Sequence, residues 1–363
     1  MYLFMLLTSL QALFFHLFKY SLKSNSLIII FFVTQIFTLL ISYILQLNLH
    51  DIISSADIFE IGELGYKVII LYFCVNLVHQ TKILELKKAI ILISFCSFLL
   101  IIVQRLGLFD TSFYGVSGVF DHMYGRFRAY GITGQPGTQS ILLYLLNVFI
   151  SQFVRSNIIS VRLGILLFLM NTFSIFLTGS RFGLLFNALL AVIIIFSNIK
   201  RSKFLWFTVV SAILLANLFM EDIISVIYRG GDSLKGALYT FERRLEYKSQ
   251  IYVLLNENLK SAFFGIGPSK DYIYSNYSEL RHPDSTLSIF LIRFGVLGTL
   301  INCLWIFALI KILFTKNNIQ GALSILLLLI YAWFEPIIED PKCFIVLSLL
   351  IGYLTKYSNN KDA

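Results

Sequence analysis

Long apolar runs, interrupted by shorter polar segments, recur from the beginning of the chain to its end. Each run approaches the roughly 20 residues that a helix needs to cross a hydrocarbon core. The runs fall at residues 2–18, 27–47, 64–78, 89–103, 141–154, 163–177, 182–199, 204–220, 287–314, 322–334 and 344–354. A barrel strand would alternate apolar and polar residues, which the run 27–33 does not. The pattern predicts an all-α fold, a polytopic transmembrane bundle of about eleven helices.

The composition excludes a water-soluble fold. Hydrophobic residues make up 58% and charged residues 13% of the chain, whereas soluble domains have about 45–50% and 25%. The mean hydropathy is +0.81. The four cysteines show no CxxC or Cys/His spacing typical of zinc sites, and no Walker motif or HExxH segment occurs. Nothing in the sequence therefore indicates a metal ion or another cofactor.

Basic residues concentrate in alternate loops, which the positive-inside rule places in the cytoplasm. This assignment puts the N-terminus outside and the C-terminus inside, and it turns two long polar loops, 104–140 and 221–284, outwards. The formal net charge of +9 thus reflects the basic residues of the cytoplasmic loops. The basic residues form no concentrated stripe of the kind that would indicate a nucleic-acid partner. Because no internal repeat or soluble linker occurs, we expect one membrane domain over residues 1–363.

The run 2–18 resembles the core of a signal peptide. It lacks a basic start and an obvious cleavage site, so we expect it to be retained.

The longer loop contains an amphipathic pattern over residues 241–260, with Leu245 and Leu255 on one side. This pattern predicts a helix that lies along the membrane interface. A turn is expected next, at residues 264–268, and Asp284 or Ser285 can cap the helix that begins the following span.

His282 lies just before an apolar run, where an imidazole can remove a proton from a substrate hydroxyl near neutral pH. An ordinary loop histidine is the more common alternative, since proton transfer requires a specific geometry. Asp284, close by in the sequence, is a further candidate for substrate binding.

Several arginines in the outward segments have the chemistry to hold a diphosphate through forked, charge-assisted hydrogen bonds. They are Arg126, Arg128, Arg181, Arg243 and Arg244. Arg181 is the strongest candidate, because residues 178–183 leave almost no loop around it. Arg293 and Lys67 lie within apolar runs, where a charge indicates function. Snorkelling towards lipid headgroups is the alternative for all of them.

The segment 131–137, Gly-Ile-Thr-Gly-Gln-Pro-Gly, is rich in turn residues and precedes an apolar run. Such a segment can present backbone N–H groups to an anion. A glycine- and proline-rich loop is not specific for any ligand, so a plain turn into the next span is the alternative.

Short motifs follow one another in a defined order between residues 178 and 298. A Ser-Arg pair at the start of a mid-chain span precedes a long outward loop with an Arg pair, Phe-Gly-Ile-Gly-Pro and His-Pro-Asp-Ser. The closing segment 291–298, Leu-Ile-Arg-Phe-Gly-Val-Leu-Gly, matches a Leu-x-x-x-Gly-x-x-Gly pattern. In this order, and in a topology that covers most of the chain, the sequence resembles the O-antigen polymerase and O-antigen ligase superfamily.

The resemblance implies a glycosyltransferase of the C type in the bacterial inner membrane, which uses an undecaprenyl-diphosphate-linked glycan as donor and acceptor on the periplasmic face. It implies no metal ion, nucleotide sugar or other cofactor. His282 matches the histidine thought to activate the acceptor hydroxyl. Arg181 and Arg244, with Arg243 as competitor, match the arginines that hold the donor diphosphate. Membrane lipids and a chain-length regulator protein are further expected partners.

Within the superfamily, Pro283 after His282 favours a polymerase, because many ligases continue with His-Asn. A ligase that moves glycan to lipid A core or to protein would use the same residues with a different acceptor. A flippase or other transporter would also be polytopic, although charged or broken helices lining a central cavity would be expected there, rather than charge gathered in one long outward loop. A structural or signalling membrane protein would tolerate loss of His282 and the arginines.

Overall fold

The structure is a computed structural model that describes residues 27–38, 40, 55–106, 120–121, 126–127, 129–197, 249, 251, 253, 259–266, 286–335, 337 and 340–357. Its helices are α1 (Leu27–Thr38), α2 (Ser55–Gln80), α3 (Ile83–Arg105), α4 (Pro136–Arg155), α5 (Val161–Thr178), α6 (Arg181–Ser197), α7 (Leu259–Phe264), α8 (Thr286–Thr315), α9 (Ile319–Tyr331) and α10 (Pro341–Tyr357). Two strands of two residues each, β1 (Phe120–Asp121) and β2 (Arg126–Phe127), pair antiparallel. The predicted helical class is confirmed, with this one short pairing in addition.

Four helices of the described chain, α3, α4, α5 and α8, are long and apolar enough to cross a membrane. On α3, Leu92 is 61% exposed and Leu99 44% exposed. Large apolar surfaces of this kind are unfavourable in water and favourable against lipid or a partner. The helices are thus those of a membrane protein, while the count of about eleven spans and the outward loops stay predictions.

Helix ends differ from the ends of the predicted apolar runs. α2 begins at Ser55, well before the predicted run 64–78, and α4 begins at Pro136, within the predicted loop 104–140. The reason is that hydropathy marks the residues suited to lipid, whereas backbone hydrogen bonds continue a helix through polar residues. The predicted spans 2–18 and 204–220 lie outside the described residues.

Internal contacts divide the chain into two compact units. The first comprises Met1–His79, Arg243–Thr315 and Ala332–Lys356, and the second comprises Gln80–Glu242, Lys316–Tyr331 and Tyr357–Ala363. The first unit contains α1, α7 and α8 with nearly all of α2 and α10, and the second contains α3 to α6 and α9. The single domain expected over residues 1–363 stays a prediction.

In the second unit, α4 is enclosed by other helices along its length. It contacts α3, α5, α6 and α9, and 89% of its most apolar 18-residue stretch is buried, against 28% for α3. Residues 141–146, Ile-Leu-Leu-Tyr-Leu-Leu, make the helix apolar on every side, which is typical of a helix with no exposed face. α4 is therefore the centre of this unit.

Three asparagines connect α4 with α5 and α6 through buried hydrogen bonds. Asn171 Nδ2 of α5 donates to Asn147 Oδ1 of α4 at 3.0 Å, and Asn147 Nδ2 donates to Asn187 Oδ1 of α6 at 2.8 Å. Asn187 Nδ2 donates in turn to Thr172 Oγ1 of α5 at 2.8 Å. Between apolar helices in a membrane the hydrophobic effect contributes little, so interhelical bonds of this kind fix which residues face each other.

The substitution Asn147→Leu should destabilise the second unit. It removes the acceptor of the Asn171 amide and the donor to the Asn187 carbonyl, at about 1–3 kcal/mol for buried polar groups left without partners. Asn76→Leu is the matched control, because Asn76 Nδ2 donates to Tyr72 O within its own helix at 3.0 Å. We expect a clearly lower unfolding temperature for Asn147→Leu than for Asn76→Leu in detergent. Equal unfolding temperatures would contradict this role of the asparagines.

In the first unit, α8 is broken at Gly295, where φ is 65° and ψ is −170°. This backbone conformation is essentially restricted to glycine. Thr299 Oγ1 donates to Gly295 O at 2.6 Å, one turn beyond the break. The predicted run 287–314 is therefore helical, as expected, but it is two helical segments rather than one.

The break in α8 allows the end of α7 to approach it backbone to backbone. α7 ends at Phe264, and Gly265 follows with φ 81°, which confirms the predicted turn. A Cβ atom on Gly265 would lie 2.4 Å from the backbone carbonyl of Arg293. Ile266 N donates to Ile292 O across the same contact at 2.8 Å. Most of the predicted helix 241–260 lies outside the described residues.

Alanine at Gly295 should separate α7 from α8. Its Cβ would lie 2.4 Å from the Phe263 carbonyl carbon, so the backbone must shift, in addition to about 1–3 kcal/mol of strain for a side chain in this backbone conformation. Gly134→Ala is the control for strain alone, because φ is 82° there and no atom lies within 4 Å of an added Cβ. Denaturation in detergent should show a larger loss of stability for Gly295→Ala. A loss no greater than that of Gly134→Ala would refute the close contact.

Candidate functional site

The turn between α5 and α6 brings Arg181 to the start of a helix. Gly179 ends α5 with φ 65°, and its N–H donates to Phe176 O at 2.9 Å. Ser180 is the N-cap of α6, since its Oγ accepts the Gly183 N–H at 3.1 Å. Thr178 Oγ1 accepts the Ser180 N–H at 3.3 Å. The sequence Thr-Gly-Ser-Arg thus stops one helix and starts the next, which confirms the predicted tight turn.

Three buried hydroxyl groups join the first turns of α4 and α6 with the end of α9. Ser140 Oγ of α4 lies 3.0 Å from Ser180 Oγ and 2.7 Å from the hydroxyl of Tyr331. Ser140 Oγ also lies 2.6 Å from Gly137 O. We call Ser140, Ser180 and Tyr331 the hydroxyl cluster. It fixes the N-terminal turns of two helices next to each other.

Tight packing surrounds the hydroxyl cluster. The Tyr331 ring stacks on Phe186 with a centroid distance of 4.4 Å and packs edge-on against Tyr144 at 5.8 Å. A Cβ atom on Gly183 would lie 2.6 Å from Ser140 Cβ, so only glycine permits this approach of α6 to α4. The two helix beginnings are therefore held by close contact as well as by hydrogen bonds.

The surroundings of the hydroxyl cluster are electrostatically positive. Each helix N-terminus carries a partial positive charge of roughly half a unit, and two such termini lie side by side at the hydroxyl cluster. Arg181, the first residue of α6, adds a full positive charge and is half-buried. Helix N-termini with an arginine are suited to bind a phosphate or carboxylate group.

The segment before α4 is held by two glutamine side chains. Gln104 Oε1 accepts the N–H groups of Tyr130 (3.2 Å) and Gly131 (2.9 Å). Gln139 Oε1 accepts those of Ile132 (3.0 Å) and Thr133 (3.3 Å). The N–H groups of Gly131, Ile132 and Thr133 thus bond within the protein, so the hypothesis that residues 131–137 present backbone N–H groups to an anion is wrong for these three.

Among the residues that the sequence marks as functional candidates, the structure describes the side chains of Arg181, Arg293 and Lys67, and Lys67 is 4% exposed. Arg293 is 8% exposed and lies two residues before the break in α8, in the first unit. The backbone of Arg126 pairs with Asp121 in the short β-strand pairing. The other predicted site residues lie outside the described residues: Arg128, Arg243, Arg244, His282 and Asp284. Among the residues that are described, no group of three His, Cys, Asp or Glu side chains could hold a metal ion.

Sequence reasoning missed the hydroxyl cluster and the two glutamines. A signal was present in α4, where Ser140, Tyr144, Asn147 and Ser151 recur every three or four residues along one side of an apolar helix. Polar residues at this spacing indicate a face that bonds to other helices. Ser151 bonds within α4 to Val148 O, whereas the partners of Ser140, Tyr144 and Asn147 are distant in sequence, so no local pattern identifies them.

Comparison with protein-family models, with curated proteins and with solved structures found no match for this chain.

The substitution Ser180→Ala should destabilise the protein more than loss of an ordinary helix cap. Ser180 is 4% exposed and bonds to both Gly183 and Ser140, whereas Ser160 is an exposed N-cap whose Oγ accepts the Leu163 N–H at 3.3 Å. Removing a cap costs about 1 kcal/mol, and Ser180→Ala also takes one hydroxyl from the cluster. Parallel unfolding experiments on Ser180→Ala and Ser160→Ala measure the difference. Equal losses would show that the cluster adds nothing.

Proposed function

We propose that this chain is a polysaccharide polymerase of the bacterial inner membrane. It joins undecaprenyl-diphosphate-linked oligosaccharide repeat units on the periplasmic face. The observation that carries the proposal is the placement of Arg181 at the start of α6, beside the first turn of α4. A diphosphate carries several negative charges, and a positive site formed by two helix beginnings and an arginine suits it. The order of motifs in the sequence gives the substrate class.

In the proposed reaction, a sugar hydroxyl of an incoming lipid-linked repeat attacks the anomeric carbon at the reducing end of the growing chain. A glycosidic bond forms as the bond to the diphosphate breaks, and undecaprenyl diphosphate leaves. His282 takes the proton of the attacking hydroxyl. Arg181 and Arg244 stabilise the negative charge that develops on the leaving diphosphate. The proposed reaction thus uses the positive charges of two arginines and the basic imidazole of one histidine.

The remaining predicted residues contact the two lipid-linked substrates in this proposal. They are Arg243, Arg126, Arg128, Asp284 and Arg293. The proposal includes about eleven spans, a periplasmic loop over residues 221–284 and a cytoplasmic C-terminus, because the glycan and its diphosphate are reached from outside the cytoplasm.

The substitution Arg181→Ala should abolish surface glycan longer than one repeat. A missing positive charge at a developing anion lowers the rate about a hundredfold or more, and Arg181→Lys should retain part of the activity because it keeps the charge but loses the fork. Arg162→Ala is the matched control, since Arg162 is an exposed arginine in the first turn of α5. The length profile of the glycan in complemented deletion strains, at equal protein levels, measures the effect.

Normal glycan length in the Arg181→Ala strain would refute the assignment. The deletion strain also distinguishes the proposed polymerase from its alternatives. A polymerase defect leaves a single repeat attached to the core, whereas loss of every glycan form from the surface, single repeats included, would favour a ligase or a flippase.

A further inference from the structure

The proton arrangement in the hydroxyl cluster follows from its geometry. A serine hydroxyl has one proton to donate and can accept two hydrogen bonds, whereas a carbonyl oxygen only accepts. Ser140 Oγ donates to Gly137 O at 2.6 Å and also to Ser180 Oγ at 3.0 Å, so its one proton is shared between these two acceptors. The Tyr331 hydroxyl, 2.7 Å away, then donates to Ser140 Oγ.

Tyr331 therefore donates to Ser140, and Ser140 donates to Gly137 O in the first turn of α4 and to Ser180 Oγ. Tyr331 is fully buried, with 0% exposure, as is Ser140. The cluster ends on Gly137 O of α4 and, through Ser180 Oγ, on the Gly183 N–H of α6. It connects the backbones of both helix beginnings to Tyr331 of α9.

Holding the two helix beginnings together has an electrostatic cost. Their partial positive charges repel each other, and Arg181 adds to the repulsion. The hydrogen bonds of Ser140 with Tyr331 and with Ser180 oppose a separation of the two helix beginnings. A bound anion would draw the same groups together, so the cluster sets the geometry in which an anion meets both helices at once.

We propose that Tyr331, acting through Ser140, is a positioning residue for the diphosphate site at Arg181. The inference rests on the proposed function, since it assumes that this place binds the donor diphosphate. Tyr331 contacts no substrate in this proposal. It keeps the first turns of α4 and α6 at the spacing that a diphosphate requires, and its loss should weaken diphosphate binding more than it weakens the fold.

The chain offers a matched control in Tyr144. Its hydroxyl donates to Ser324 O of α9 at 3.0 Å, and the residue is fully buried with 0% exposure. Tyr144→Phe thus removes one buried hydroxyl between the same two helices as Tyr331→Phe does. It leaves the hydroxyl cluster and Arg181 unchanged.

The test is a binding titration with the full-length protein in phosphatidylcholine nanodiscs. Undecaprenyl diphosphate is the probe, and phosphate-free undecaprenol and phosphatidylglycerol separate diphosphate recognition from tail binding and from general headgroup attraction. Tyr331→Phe and Ser140→Ala should raise the Kd for undecaprenyl diphosphate about tenfold, as expected for loss of one buried hydrogen bond. Tyr144→Phe should lower the unfolding temperature about as much as Tyr331→Phe does, but it should leave the Kd for undecaprenyl diphosphate unchanged.

Equal Kd changes in Tyr331→Phe and Tyr144→Phe, or no change in Tyr331→Phe, would overturn the positioning role. Arg181→Ala tests the proposed function separately. If Arg181→Ala loses binding while Tyr331→Phe keeps it, the inference fails and the diphosphate site stands. If the unsubstituted protein binds undecaprenyl diphosphate no more tightly than undecaprenol, both fail.

Discussion

The burial of α4 among four helices is the constraint on which the second unit depends. Apolar residues of α4 alone give it no preferred orientation, because in a membrane the lipid is as apolar as the neighbouring helices. Its orientation is decided instead by polar side chains that must find partners. Ser140 bonds at one end, Asn147 in the middle and Gln152 near the other end, where Gln152 Oε1 accepts from Asn318 Nδ2 at 3.0 Å.

The requirement that polar side chains of α4 find partners also explains the position of the candidate site beside Ser180. Arg155, the last residue of α4, donates to Asn318 Oδ1 and to Asn317 O, so the far end of α4 is also tied to the start of α9. With both ends of α4 bound to α9, the first turn of α4 has a defined position beside Ser180. The concentration of positive charge around Arg181 is consequently a property of the packing and not of the turn alone.

In the first unit, α8 is interrupted, and an interrupted helix must satisfy its polar backbone groups in another way if lipid surrounds it. The break at Gly295 frees a carbonyl, and Ile292 O accepts the N–H of Ile266 from the end of α7. Aromatic packing of Phe31 against Trp305, with a centroid distance of 5.1 Å, holds α1 to the second segment of α8. A backbone hydrogen bond from the end of α7 thus satisfies a carbonyl group of α8 beside the break.

The sequence by itself determined the helical membrane class, the position of most described spans, the tight turn at Gly179 and the importance of Arg181 as a candidate. These depend on local properties, namely the hydropathy of consecutive residues and the conformations open to glycine. The tertiary structure decided the pairing of Ser140 with Ser180 and Tyr331, the use of glutamine oxygens before α4 and the break at Gly295. The bonds of Ser140 join residues far apart in the chain, and a hydrogen bond across such a separation depends on a packing geometry that no stretch of sequence contains.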